Sequence, residues 1–330
     1  MTPSAGSAVT LEAVVAAAAR IEPSVVHTPL LDASGLGLGP LWLKAESLQR
    51  TGSFKVRGAF NAVLQLSPAQ RAAGVITLSA GNHGIALALA AKSQGVRCIV
   101  VVPADAPAIK TSAIARLGAE LVPVPRAELG ERVEAERERR GLTLVHPFDD
   151  DAVIAGQGTV GLEILAGADP QTIVVPVGGG GLIAGIATAV KAQRPAVRII
   201  GVEPETSATV RDSLRAGRPV PPARLDTVAD GLAAPYTRAR NLDLIGRFVD
   251  DLVVVSDQAI VEALRMITLG ARLVVEPAGA AAIAALMTGR VQTGSRTAVA
   301  VLTGSNVDPQ RLAGWLAEEP KIPGLTRPGI

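Results

Sequence analysis

The stretch TGSFKVRGA (51–59) places one lysine among glycines, hydroxyl side chains and a phenylalanine. A lysine amine becomes a useful nucleophile when apolar or cationic neighbours desolvate it and lower its pKa. Lys55 follows Phe54 and precedes Val56, so it is placed to begin a helix with a buried apolar face. Composition alone favours an ordinary solvated lysine, and Arg57 is the more obvious structural ion-pair candidate. From this stretch alone, Lys55 could be either a surface charge or a reactive amine.

A second stretch, VPVGGGGLIAGIA (175–187), places four consecutive glycines between an apolar strand and a helix. Glycines let a backbone approach a ligand closely, and the free N–H groups at a helix start attract an anion. No Gly-Lys-Ser/Thr closes the loop, so it is not a Walker motif, and the match to a dinucleotide fingerprint is partial. The favoured interpretation is a phosphate cradle, and the alternative is a plain tight turn.

A third stretch, LSAGNHGIALALAAKSQG (78–95), contains a turn of small residues between a strand ending at Ser79 and a helix starting near His83. Backbone N–H groups and the amide of Asn82 would suit a carboxylate there. The alternatives are that Asn82 only caps the helix and that His83 is structural rather than a proton carrier. An amine, a phosphate cradle and a carboxylate cradle together indicate pyridoxal phosphate, for which a lysine Schiff base is a hallmark.

The elements that must position these residues alternate along the chain. Short apolar runs that predict strands lie at 75–79, 97–102, 119–124, 172–177, 197–202, 251–256 and 297–303. Helical patterns follow the first six runs, at 83–94, 107–117, 128–140, 182–193, 206–216 and 257–269. This alternation predicts parallel sheets with helices on both faces, and the number of strands favours two sheets and two domains.

The composition excludes several classes of function. A net charge of +2 and an aromatic content of 2% argue against nucleic acid as a partner. No apolar run approaches the roughly 20 residues that a membrane span requires, and the N-terminus does not resemble a signal peptide. The single cysteine, Cys98, is expected to be a buried thiol in a cytoplasmic protein. Residues 1–8 and the tail from Glu318 are expected to be poorly ordered.

Eight motifs occur in order, namely TGSFKVRGA, SAGNHG, HPFDD…VIAGQGT (146–159), VGGGGL, GVEPE, ADGLA (229–233), EPAGA (276–280) and LTGSN (302–306). In them the chain resembles the serine/threonine dehydratase and serine racemase family of pyridoxal-phosphate enzymes of fold type II, from about Val26 to Val307. The resemblance implies an α/β fold like that of the tryptophan synthase β subunit, with a parallel-rich sheet flanked by helices in each of two domains. Residues 1–73 and 144–330 would form the large cofactor-binding domain, and residues 74–143 a small domain that begins with the substrate-carboxylate loop.

The resemblance also assigns roles to single residues. It makes Lys55 the catalytic Schiff-base lysine. The residues expected at the cofactor are Phe54, Lys55, Asn82 at the ring hydroxyl, Gly178, Gly179, Gly180, Gly181 and Leu182 at the phosphate, Gly231 in the pocket, and Thr303 at the pyridine nitrogen. The residues expected at the substrate carboxylate are Ser79, Ala80, Gly81, Asn82 and His83. His146, Phe148 and the loop around Ala233 are candidates for the side-chain pocket.

Two departures from the family's pattern bear on the reaction. Racemases of the family carry an acid/base serine where this chain has Ala80, and because a methyl group cannot move a proton, dehydration is favoured over racemisation. The divalent-cation site of those racemases pairs the glutamate of GVEP with an aspartate six residues later. Glu203 is present, but Thr209 stands at the later position, so no metal site is expected and Glu203 is only a weak candidate ligand.

The resemblance therefore predicts a homodimeric ammonia-lyase that converts L-threonine or L-serine to a 2-oxo acid and ammonia. One alternative is a serine racemase. Another is a dehydratase of a different β-hydroxy amino acid, such as hydroxyaspartate or phenylserine. A non-catalytic sensor of phosphate ligands is the rival from another class, and it would not need Lys55.

Overall fold

The computed structural model describes residues 9–106 and 108–317. The expectations of poor order at 1–8 and from Glu318 onward lie outside the described residues. Among the described residues, the ten strands are β1 (Leu30–Asp32), β2 (Leu41–Lys44), β3 (Val75–Leu78), β4 (Cys98–Pro103), β5 (Glu120–Val124), β6 (Thr143–Leu144), β7 (Thr172–Pro176), β8 (Arg198–Pro204), β9 (Asp251–Val255) and β10 (Ala298–Val301).

The helices lie between and around these strands. Within the same described ranges, the thirteen α-helices are α1 (Leu11–Ile21), α2 (Lys55–Leu64), α3 (Pro68–Ala73), α4 (Asn82–Ser93), α5 (Ala108–Arg116), α6 (Leu129–Arg140), α7 (Asp151–Gly167), α8 (Gly181–Gln193), α9 (Thr209–Ala216), α10 (Ala239–Phe248), α11 (Asp257–Met266), α12 (Pro277–Met287) and α13 (Pro309–Ala317). None of the helices that the structure describes is long and apolar enough to cross a membrane.

The strands form two sheets. The larger has six strands in the order β1-β2-β10-β7-β8-β9, and the smaller has four in the order β5-β4-β3-β6. All neighbouring pairs are parallel except β1 with β2, which is antiparallel. The predicted α/β fold with two parallel-rich sheets is confirmed, while the residue boundaries of the two domains stay a prediction.

Both faces of the larger sheet are covered by helices, which explains why its strands read as continuous apolar runs. The four residues of β10 are all buried and alternate between two hydrophobic clusters. Ala298 and Ala300 pack with α11 and α12 on one face. Val299 and Val301 pack with α7 and α8 on the other. Side chains alternate across a strand, so a strand buried on both faces has no polar position.

Buried ion pairs anchor the helix that begins at Lys55. The Arg57 guanidinium donates to Glu46 Oε2 from Nε at 2.8 Å and to Glu163 Oε1 from Nη1 at 2.6 Å. The Lys44 amine lies 2.5 Å from Glu163 Oε2, so two cations face two carboxylates. These partners raise the pKa of Arg57 despite its burial. The interpretation of Arg57 as a structural ion-pair residue is confirmed.

Candidate active site

A cavity of about 470 Å³ lies at the carboxyl ends of strands from both sheets. Its walls include Ser79 after β3, Gly178 after β7 and Thr303 after β10. Ligands of open α/β sheets bind at this end of the strands. The fourteen residues predicted for the cofactor and substrate carboxylate all line it, namely Phe54, Lys55, Ser79, Ala80, Gly81, Asn82, His83, Gly178, Gly179, Gly180, Gly181, Leu182, Gly231 and Thr303. The structure thus gathers them in one place, while their individual roles stay predictions.

Lys55 is the first residue of α2, and its side chain is half-buried in the cavity wall. Its Nζ donates to the carbonyl oxygen of Pro147 at 2.8 Å and lies 5.2 Å from the centroid of the Phe54 ring. Desolvation by burial lowers the pKa of the amine to about 8, and the carboxylate of Glu276 partly opposes the shift. A lowered pKa and a desolvated amine are the conditions under which a lysine can act as a nucleophile or a base.

Asn82, which follows β3 of the smaller sheet, is held by two side chains from the part of the chain that packs with the larger sheet. Its Nδ2 donates to Glu276 Oε1 at 2.7 Å, and its Oδ1 accepts from Asn306 Nδ2 at 2.7 Å. Asn306 also donates to the carbonyl of Thr51 at 2.6 Å. With a donor on one side and an acceptor on the other, the amide of Asn82 has one favourable orientation, which leaves its second N–H available to a ligand.

The glycine loop has the geometry of an anion cradle. A Cβ atom at Gly179 would lie 2.4 Å from the ring of Phe148, and one at Gly180 would lie 2.8 Å from Ile245. Gly180 has φ of 94°, which side chains rarely tolerate. No described residue accepts a hydrogen bond from the backbone N–H groups of residues 179–182, so these donors are free to bind an anion at the start of α8.

The two histidines near the cavity are neutral. His83 Nε2 lies 3.0 Å from the carbonyl of Val145, so that nitrogen carries the proton. Burial, aided by the charge of Lys55, lowers the pKa of His83 to about 3. Burial likewise lowers the pKa of His146 to about 3. His146 stands behind the cavity-lining ring of Phe148, with 4.6 Å between ring centroids, and is not itself among the lining residues. The geometry favours a structural His83 over a proton carrier.

Both carboxylate oxygens of Glu203 are hydrogen-bonded to the start of α9. Its two oxygens accept from the backbone N–H groups of Val210 and Arg211 at 2.8 and 2.9 Å. Burial raises the pKa of Glu203 to about 7. Thr209, at the position of the missing aspartate, donates its hydroxyl to Ala234 O at 2.7 Å. In the described ranges no three His, Cys, Asp or Glu side chains group as metal ligands.

Several residues that shape the site were not among the predicted site residues. Glu276 and Asn306 lie in the motifs EPAGA and LTGSN, so a signal for them existed. Thr237 and Asn241, which bind the glycine loop from behind, lie in no motif and could not have been found from the sequence.

The residues present fit pyridoxal phosphate. A desolvated amine for the aldehyde, free N–H groups in a loop that only glycine can form, and the hydroxyl of Thr303 line one cavity. Fold and site together define an α/β enzyme with a cavity at the carboxyl ends of strands from two parallel-rich sheets, and the cavity lining suits a phosphorylated aldehyde. The chain belongs to the family described as "Pyridoxal-phosphate dependent enzyme", whose model matches residues 21–304.

Three named proteins are similar to this chain over most of its length. An L-threonine ammonia-lyase of Thermotoga maritima is 39% identical over 307 residues, which cover 91% of this chain and 76% of the relative. The crystal structure of a threonine deaminase from T.th. superposes with a TM-score of 0.85 at 41% identity, covering 91% of this chain and 99% of the other. Serine racemase from Dictyostelium discoideum superposes with a TM-score of 0.86 at 34% identity, covering 91% and 99%.

Proposed function

We propose that this enzyme is an ammonia-lyase that converts L-threonine or L-serine to the corresponding 2-oxo acid and ammonia. The observation that carries the proposal is the Lys55 amine, which has a pKa of about 8 and lines the same cavity as the glycine loop. The threonine ammonia-lyase and threonine deaminase among the similar proteins support the reaction. Overall, the substrate loses its α-proton and β-hydroxyl as one water and takes up another when ammonia is released.

The proposed binding roles follow from the cavity walls. The free N–H groups of residues 179–182 would hold the cofactor phosphate, and the turn from Ser79 to His83 would hold the substrate carboxylate. Asn82 would offer its remaining N–H to the ring hydroxyl, and Thr303 its hydroxyl to the ring nitrogen. Pyridoxal phosphate, when bound, supplies an electron sink that acidifies the α-proton of an amino acid joined to it.

Lys55 would move the proton. Its free amine would be the general base that accepts the α-proton at Nζ. Ala80 lines the same cavity with a methyl group, which cannot return a proton to the α-carbon, so the geometry favours elimination. Phe148, Ala233 and Pro235 give the cavity an apolar wall that suits the methyl group of threonine.

Serine racemisation is the second candidate, and the Dictyostelium serine racemase among the similar structures is the observation that favours it. Incubation with L-serine followed by chiral analysis separates the two activities. Abundant D-serine would contradict the role that we give to Ala80.

The proposal is tested with Lys55→Ala, matched by Lys92→Ala at an exposed position of α4. The first change should abolish 2-oxo acid release from L-threonine and the visible absorbance of lysine-bound cofactor, and the second should preserve both. Full turnover in Lys55→Ala would refute the mechanism. A wild-type protein that takes up no pyridoxal phosphate would favour the alternative of a non-catalytic sensor of phosphate ligands.

The same assay, run over several amino acids, ranks the substrates. The panel should hold L-threonine, L-serine, hydroxyaspartate and phenylserine, each with and without a divalent cation and a nucleotide. We expect L-threonine or L-serine to be turned over fastest, and a clear preference for hydroxyaspartate would contradict the proposed substrate.

We extend the proposal to a homodimer in the cytoplasm. The dimer rests on the resemblance to the dehydratase family, and light scattering coupled to gel filtration measures it directly. The cytoplasmic location rests on the single cysteine, since Cys98 is buried and its pKa is raised to about 12 by burial, which suits a protein without disulfides.

A further inference from the structure

The carbonyl oxygen of Gly179, in the middle of the glycine loop, is held by two side chains, one in the first turn of α10 and one just before that helix. Asn241 Nδ2 donates to it at 2.8 Å, and Thr237 Oγ1 donates to it at 3.1 Å. Neither side chain lines the cavity, and both are almost completely buried. The two donors therefore reach the loop from the side that faces away from the cavity.

This arrangement fixes the direction of the next N–H group. A trans peptide is planar, so its C=O and N–H bonds point in opposite directions, and no peptide among the described residues is cis. Since the Gly179 carbonyl points away from the cavity, the N–H of Gly180 points toward it. That N–H has no acceptor among the described residues and stands at the start of α8, where an anion is favoured.

Asn241 acts on the loop through its amide N–H groups. Its Nδ2 also donates to the carbonyl of Phe148 at 3.0 Å, so it joins the glycine loop to the segment that covers it. Its Oδ1 has no hydrogen-bond partner among the described residues. The opposite amide orientation would place this oxygen against two carbonyl oxygens, so the observed orientation is the favourable one.

We propose that Asn241 and Thr237 are positioning residues that hold the glycine loop in the orientation that binds the phosphate of the cofactor. The inference rests on the proposed assignment of the phosphate to residues 178–182. Asn241, which holds two carbonyls, has the larger part, and Thr237 supports it. Neither residue touches the reacting atoms, so both act only through the backbone of the loop.

Pyridoxal, which has the ring and aldehyde of the cofactor but no phosphate, separates this role from a general effect on folding. The full chain, stripped of cofactor, is titrated with pyridoxal phosphate and with pyridoxal, and both dissociation constants are measured. Asn241→Leu should weaken the binding of pyridoxal phosphate by about tenfold to a hundredfold, because the Gly180 N–H is no longer held toward the phosphate and a hydrogen bond to a charged group is weakened. Its affinity for pyridoxal should stay close to that of the wild type.

Two variants at Thr237 keep the test independent of the folding of Asn241→Leu. Thr237→Val removes the hydroxyl at nearly constant volume and should give a smaller loss of affinity, confined to pyridoxal phosphate. Thr237→Ser keeps the hydroxyl and should bind pyridoxal phosphate as tightly as the wild type. The matched control is Thr188→Val in α8, where a buried hydroxyl donates to Ala184 O at 2.8 Å. It should leave both affinities unchanged.

The outcomes are distinct. A loss confined to pyridoxal phosphate supports the positioning role. An equal loss of both ligands, or no loss of either, overturns it. A wild-type protein that binds pyridoxal as tightly as pyridoxal phosphate would overturn the assignment of the phosphate to the glycine loop, and the positioning role with it.

Discussion

Asn82 and Glu276 lie 194 positions apart in the sequence, and a hydrogen bond of 2.7 Å joins them across the cavity. Asn82 begins α4 beside the smaller sheet, and Glu276 immediately precedes α12 beside the larger one. The bond ties the turn proposed for the substrate carboxylate to the part of the chain that surrounds Lys55. The same carboxylate raises the pKa of Lys55 against the effect of burial, so one residue affects both the position of Asn82 and the basicity of the amine.

Replacing Glu276 by glutamine should lower the pKa of Lys55 further, because the charge that stabilises the ammonium form is removed. The glutamine oxygen can still accept from Asn82. In the cofactor-free full chain, the reaction of Lys55 with pyridoxal can be trapped with borohydride over a range of pH. The amount trapped should increase with the unprotonated fraction of the amine, with a midpoint near pH 8 in the wild type. The midpoint should move to lower pH in Glu276→Gln and stay in place in the surface variant Glu138→Gln. An unchanged midpoint in Glu276→Gln would show that the carboxylate does not act on the amine.

Replacing Ala80 by serine should add racemisation to elimination. A hydroxyl at this position of the cavity wall gives the α-carbon a proton donor that the methyl group lacks. The ratio of D-serine to pyruvate formed from L-serine, measured by chiral chromatography and 2-oxo acid assay, should rise at least about tenfold, well within the roughly 10²–10⁴-fold that a positioned general acid contributes. A ratio equal to that of the wild type would mean that Ala80 is not what suppresses racemisation.

Replacing Arg57 by leucine should destabilise the fold strongly. The change leaves the buried carboxylate of Glu46 and the mostly buried carboxylate of Glu163 without their main cation, at a cost of about 3–5 kcal/mol in the free energy of unfolding. Arg137→Leu is the control, because its ion pair with Glu134 is half-exposed and should contribute less than about 1 kcal/mol. Urea denaturation measures both variants, and similar losses would argue against the buried network as an anchor of α2.

Removing divalent cations should leave turnover unchanged. Both oxygens of Glu203 already bind backbone N–H groups of α9, and Thr209 offers no carboxylate, so a cation would have to break existing bonds. Activity after treatment with EDTA, and after addition of magnesium or calcium, checks the expectation. Activity that is lost with the chelator and restored by magnesium would contradict it.

Much of the fold could be predicted from local patterns. The runs at 172–177 and 97–102 correspond to β7 and β4 within a residue or two, because β-branched residues between turns favour a buried strand. Helix α12 was not predicted, since nearly all its residues are buried and an all-apolar helix lacks the periodic polar face that marks one. The two-residue strand β6 is too short to leave a pattern.

By itself the sequence determined the parts of the site that are contiguous in the chain. Lys55 at a helix start, four glycines after a strand and the turn from Ser79 to His83 are each defined by neighbours within a few residues, and the order of the motifs indicated the cofactor. Only the tertiary structure decided that Glu276 and Asn306 fix Asn82, and that Asn241 turns the peptide after Gly179. These contacts join residues from 62 to 224 positions apart, and they depend on which strands are neighbours in the sheets and on how helices pack across them, which no local pattern encodes.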